Sequence, residues 1–157
     1  MSEDLDDIDR EILYALQQDA RNNSNADISE QVGVSPSTVG KRITRLEERG
    51  VILGYRPKID YELAGLPLEV LFICTVPIAE RESLVESAHK IDGVVNVREM
   101  MTGRKNVHIR VVGASNDEIT RIATTIDNRG YDITDEILLR SERDSPASVF
   151  LESTLDE

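Results

Sequence analysis

Apolar positions fall at helical spacing along roughly the first fifty residues, and in short runs and alternations from residue 68 to 139. Leu5, Ile8, Ile12 and Leu16 mark one face of a first helix, with Leu13 and Ala20 beside it. Asp6, Asp7 and Asp9 fall in its first turn, where they suit the positive end of the helix dipole. After a polar loop from Arg21 to Asn25, Ser24 and Asp27 have the form of a capping pair. Ile28 and Val32 lie one turn apart on the helix that follows, Gly33 ends it in the left-handed conformation, and Val34 turns back into the core. Ser35-Pro36 is a second start signal, a serine cap and then proline at the first helical position. This helix buries Val39, Ile43 and Leu46 and closes at Gly50. At about 100° per residue, Ser37, Lys41, Thr44 and Glu48 lie opposite the core, with Thr38 and Arg45 on the flank.

Val51 to Tyr55 reads as a short strand, broken by Arg56-Pro57-Lys58, and Gly65 and Pro67 punctuate a boundary. Leu68 to Val76 is nearly all apolar and predicts a strand buried on both faces. Leu84, Val85, Ala88 and Ile91 follow at helical spacing. Val94, Val95 and Val97 begin a strand that reaches Met101, and Thr102 to Asn106 forms a hairpin turn. Val107, Ile109 and Val111 alternate with His108 and Arg110 on the next strand. Ile119, Ile122, Ala123 and Ile126 give a helix capped by Asn116 and stopped near Gly130, and Ile133 to Leu139 is a last strand. The order β-α-β-β-α-β is that of the ferredoxin-like fold, with both helices on one face of a four-stranded antiparallel sheet. The other face is left bare and predicts pairing with a second copy. Ser148 to Leu151 is read as an added edge strand, and the acidic end is expected to be mobile. The chain is thus α+β, with a helix-turn-helix domain over residues 1–54, a connector over 55–67, a ferredoxin-like domain over 68–140 and an extension over 141–157.

A helix that stands on a small core and shows Ser, Thr, Lys and Arg outward has the chemistry of a DNA-reading helix. The competing reading is an ordinary amphipathic hairpin with a solvated face. Charge sharpens the choice. The chain of 157 residues carries a formal charge of −12, which repels DNA. Residues 35–58 nevertheless hold six cations against two acids, a local net charge of +4. Excess acid elsewhere suits a protein kept hydrated in molar salt, which suggests a salt-loving microbe. Apolar content is 39% with aromatics at 4%, so Ile, Val and Leu must build the core.

The stretch from Leu5 to about Ile78 resembles the Lrp/AsnC (leucine-responsive regulatory protein) transcription regulators. The resemblance lies in LDDIDREIL and in ARNNSNADISEQVGVSPSTVGKRITRLEERGVILGYRPKID, and weaker similarity continues to about Arg140. It implies a winged-helix-like DNA-binding domain, a connector whose strand contacts help pair protomers, and a C-terminal effector-binding domain called RAM. It also implies that the turn between the second and third strands of that domain contributes to an amino-acid pocket between protomers. Thr102 and Gly103 match the family there, while Lys105 and Asn106 stand where its members often carry an aromatic residue and Asp. The turn is kept and its chemistry changed, so leucine-like amino acids are not expected as ligands.

Candidate groove contacts are Ser37, Thr38, Lys41 and Arg45, with Ser35 at the cap, and candidate phosphate contacts are Arg42, Arg49, Arg56 and Lys58. Candidate effector residues are Thr102, Gly103, Arg104, Lys105 and Asn106. No catalytic residue, cofactor or metal site is expected: His89 and His108 stand alone, and the paired acids read as solvated surface. Cys74 lies in an apolar run and reads as a buried thiol. No run approaches a membrane span, and Met1-Ser2-Glu3-Asp4 does not start a signal peptide, so a cytoplasmic protein is expected. Expected partners are double-stranded DNA, a second copy (a homodimer, with an octamer as the larger form) and a small-molecule effector. Two rival readings are a ferredoxin-like sensor or enzyme that uses the helix-turn-helix for assembly, and a nucleoid-organising protein with little sequence preference.

Overall fold

A computed structural model describes residues 4–154 and divides them into two units. The first comprises the chain up to Pro57 together with the residues from Arg143 onward, and the second is Lys58–Glu142.

Three helices build the first unit: α1 (Asp7–Asp19), α2 (Asn25–Val32) and α3 (Pro36–Glu48). Ile12, Leu13, Ala15, Ile28, Val39 and Leu46 form its buried core, with Leu5, Ile8, Leu16, Val32, Val34, Ile43 and Ile52 packed around it. Asp6 proves to be the N-cap of α1 rather than part of its first turn, and it exchanges capping bonds with Asp9. The strand expected at Val51 to Tyr55 is not formed. The Val51 and Ile52 amides donate back to the Leu46 carbonyl (2.9 and 3.2 Å), closing α3, and Ile52 joins the core. A lone strand needs a neighbour for its backbone groups, and this stretch has none among the described residues. Leu53, 95% exposed, is left projecting.

The edge strand expected at Ser148 to Leu151 is instead a 3-10 turn, Ser148–Thr154. Phe150 packs onto the core of the first unit, and the Ala147 amide donates to Gln17 Oε1 (3.1 Å) on α1. An aromatic residue gains more by covering a helical core than by lengthening an exposed sheet edge. Phe150→Ala should therefore lower the stability of the first unit by about 1–2 kcal/mol, read as a lower melting midpoint for its helical signal. The mobile acidic end concerned residues 155–157, which lie outside the described ones.

The second unit is a four-stranded antiparallel sheet in the order β2-β3-β1-β4, from β1 (Leu68–Thr75), β2 (Val94–Glu99), β3 (Val107–Gly113) and β4 (Asp132–Leu138). Helices α4 (Arg81–Ala88) and α5 (Asn116–Asn128) pack on one face. Val70, Phe72 and Cys74 of β1 and Val107, Ile109 and Val111 of β3 meet Ala88, Ile119, Ile122 and Ile126 there. This is the expected ferredoxin-like arrangement. Ser115, not Asn116, caps α5, its side chain accepting from the Glu118 amide (3.2 Å). The opposite face carries Leu71 and Ile73 across from Arg110 and His108. It is partly polar, since Arg110 pairs with Glu69 at 3.3 Å and also with Glu142.

Candidate nucleic-acid interface

The geometry of α2 and α3 is set at their ends. The Ser24 hydroxyl accepts from the Asp27 amide (3.2 Å) while the Asp27 carboxylate accepts from the Ser24 amide (2.9 Å), which starts α2. Gly33, at φ 77°, ends it, and the Ser29 hydroxyl donates to the Val34 carbonyl (2.5 Å) to fix the turn. Ser35 then caps α3, accepting from the Thr38 amide (3.2 Å), with Pro36 in the first helical turn. A Cβ on Gly40 would lie 2.9 Å from Asn25 Nδ2, so glycine lets α3 lie close against the start of α2.

Ser37, Lys41, Thr44 and Glu48 are exposed, on the side of α3 away from Val39 and Leu46. Lys41 has no ion pair or hydrogen bond among the described residues. Ser35, Ser37 and Thr38 share one hydroxyl cluster, with Ser35 Oγ 3.1 Å from Ser37 Oγ and 2.8 Å from Thr38 Oγ1. Ser35 and Thr38 therefore serve the cap first. Thr44 donates its hydroxyl to the Gly40 carbonyl (3.0 Å). Arg56 and Lys58 are exposed and Arg49 is half-buried.

Arg42 and Arg45 differ from expectation. Arg42 Nη1 lies 2.5 Å from Asp6 Oδ2 and 3.1 Å from Asp9 Oδ1, and Arg45 Nη2 lies 3.1 Å from Asp9 Oδ2. Arg42 is thus tied to α1 rather than held open for phosphate, and one donor of Arg45 is engaged. Asp9 is 1% exposed at its side chain and is one of two buried polar residues among the described ones. Its sequence signal was available. At about 100° per residue Asp9 falls between Leu16 and Leu13, inside the apolar arc of α1. A carboxylate there must be paired.

The hydrogen bond from Arg42 holds the Asp6 carboxyl below its ordinary value of 3.8 and holds the Arg42 guanidinium more firmly charged. Hydrogen bonds from Asn22 and from Ser24 likewise depress Asp19 and Asp27. A carboxyl with a lowered folded pKa contributes stability above its unfolded pKa and loses it as pH falls through the folded one. The helical unit should therefore weaken as pH drops below about 4, and Asp6→Asn should flatten that acid limb in a pH series of thermal melts.

In the second unit the 102–106 turn is pinned at both stems. Asn106 is fully buried, its Oδ1 accepting from the Val76 amide (2.9 Å) and its Nδ2 donating to the Val76 carbonyl (2.9 Å). Lys105, at φ 52°, donates its amide to Thr75 Oγ1 (2.8 Å) and pairs with Asp135 (2.9 Å). On the other stem Arg81 pairs with Glu99 (2.7 Å) and donates to the Met100 carbonyl (3.1 Å). The Thr102 hydroxyl donates to the Arg104 carbonyl (2.8 Å), Gly103 has open space around it, and Arg104 is exposed with no side-chain partner among the described residues. The buried amide of Asn106 holds the fold and is not open to a ligand. Burial raises the Cys74 thiol to about 12, which leaves it unreactive.

A family model described as winged helix-turn-helix DNA-binding matches residues 5–52. The transcriptional regulator LrpA of Mycobacterium tuberculosis is 30% identical over 82% of this chain and 88% of its own length. The chain belongs to the Lrp/AsnC family. Over a shorter stretch it is 50% identical to the regulator AldR of Mycolicibacterium smegmatis, covering 43% of this chain but only 39% of that protein. The crystal structure of Mycobacterium tuberculosis AldR superposes with a TM-score of 0.74 at 26% identity, covering 89% of this chain and 97% of that one. Both units of this Lrp/AsnC member thus have counterparts in one relative. No helix among the described residues is long and apolar enough to cross a membrane.

Proposed function

We propose that this chain is a sequence-specific DNA-binding transcription regulator that reads the major groove with α3. The observation that carries this reading is the open face of α3, where Ser37 and Lys41 project on a helix whose other cations, Arg42 and Arg45, are braced against α1. Lys41 supplies a donor for base-edge acceptors, while Arg56 and Arg49 of the same unit supply phosphate contacts that position without reading. Binding to a selected site and to random duplex, measured across a salt series, tests it. A specific-to-random ratio of at least about 10³ supports a regulator, whereas a ratio near one indicates a nucleoid-organising role.

The protein acts as at least a dimer. Support lies in the exposed apolar residues between α3 and β1, Leu53 (95%), Tyr55 (52%) and Leu63 (86%), and in Ile137 (46%) on the sheet face away from the helices. Light scattering at micromolar concentration should give at least twice the chain mass, and a monomer would refute this. The acidic body carrying a local basic patch fits a cytoplasmic protein of a salt-loving host. On that reading DNA affinity falls less steeply with salt than for a basic regulator.

An effector is assigned to the Thr102, Gly103 and Arg104 tip, with Asn106 serving the fold. Arg104 is the open cation there, and Asp135 is already held by Lys105, so the tip favours an anionic metabolite over a neutral amino acid. In a thermal-shift panel, organic acids should raise the melting point and leucine should not.

A further inference from the structure

We propose that Asp9, with Asp6, is a specificity-setting positioning group: the two carboxylates stand in for DNA phosphate on the unbound protein and hold Arg42 and Arg45 back from duplexes of the wrong sequence. This rests on the reading of α3 as the DNA-reading helix.

A carboxylate offers a guanidinium the same paired oxygens as a phosphate, so the two compete for the same donors. Asp9 is buried, and removing both of its cations would leave a bare charge in the core, so one arginine must stay. Arg42 is the resident, because it touches both carboxylates and its side chain is 23% exposed. Arg45 makes a single bond to Asp9, at 3.1 Å, and is 46% exposed, so it is the one that can be ceded. Sequence-independent affinity comes from phosphate contacts, and each cation kept on a carboxylate is withheld from it. Only a duplex whose base edges engage Ser37 and Lys41 seats α3 well enough to draw Arg45 away. Asp9 thereby lowers random binding more than it lowers specific binding.

The test compares Asp9→Asn and Asp6→Asn with Asp4→Asn, an exposed carboxylate on the same segment that gives the same change of net charge. Asp6 is the second variant because its side chain is 51% exposed and tolerates the change without a buried vacancy. For the full-length protein, affinity for random duplex should rise about threefold with Asp6→Asn and up to about tenfold with Asp9→Asn. The salt slope should steepen by about one, and the specific-to-random ratio should fall. The gain of Asp9→Asn should vanish when combined with Arg45→Ala, which a merely structural role for Asp9 does not produce. Asp6→Asn and Asp9→Asn tracking Asp4→Asn, or all duplexes weakening alike, would overturn the inference. Failure of the unmodified protein to bind any duplex would instead sink the DNA-binding reading itself.

Discussion

Replacing Lys41 with alanine should weaken binding to the preferred site roughly five- to a hundredfold and relax selectivity at one base pair, while leaving the melting point unchanged. The side chain stands on the exposed face of α3 and has no partner among the described residues, so its removal orphans nothing within the protein. A base-edge contact contributes about 1–3 kcal/mol, all of it lost only where the matching base is present. Arg56→Ala provides the contrast. Arg56 is exposed at the end of the first unit, and its loss should weaken every duplex alike and reduce the salt slope by about one. Competition binding with single-base variants of the site distinguishes the two. Equal profiles for the two substitutions would show that Lys41 touches phosphate only.

The second large effect lies in the sheet unit. Asn106→Ala should lower its stability by about 3 kcal/mol, because the Val76 amide and carbonyl would both be buried without partners. For a unit of this size that corresponds to a fall in Tm of about 12–24 °C. Gly103→Ala, a few residues away in open space at the same turn, should change Tm by less than about 3 °C. Similar melts for Asn106→Ala and the parent would mean that the turn is held by Lys105 and Arg81 instead.

Most of the architecture was legible because it rests on local signals. The Ser24–Asp27 capping box, Gly33, the Ser35-Pro36 start and the apolar spacing of α3 each have a local cause, and the structure carries each. The ferredoxin-like order could be read for the same reason, since β1 is an apolar run and β3 alternates. What escaped was long-range pairing. Asp9 and Arg42 are separated by 33 positions, Asn106 and Val76 by 30, and Ala147 and Gln17 by 130. A helical wheel shows Arg42 and Arg45 as a cationic flank but cannot show that α1 lies beside it with two carboxylates. In the same way Asn106 reads as a turn residue. Only the closed sheet reveals that its amide completes the backbone of the neighbouring strand end.

Selection of bound duplexes from a random pool by the whole chain, in molar salt and repeated at low salt, tests most directly whether α3 reads sequence. The expected product is a near-palindrome with half-sites about one helical turn apart, or a multiple of it, because the proposed dimer would present two α3 helices. Loss of enrichment at one half-site position with Lys41→Ala would tie that base to α3. A pool that emerges unenriched at both salts would contradict the assignment of α3 as a sequence-reading helix.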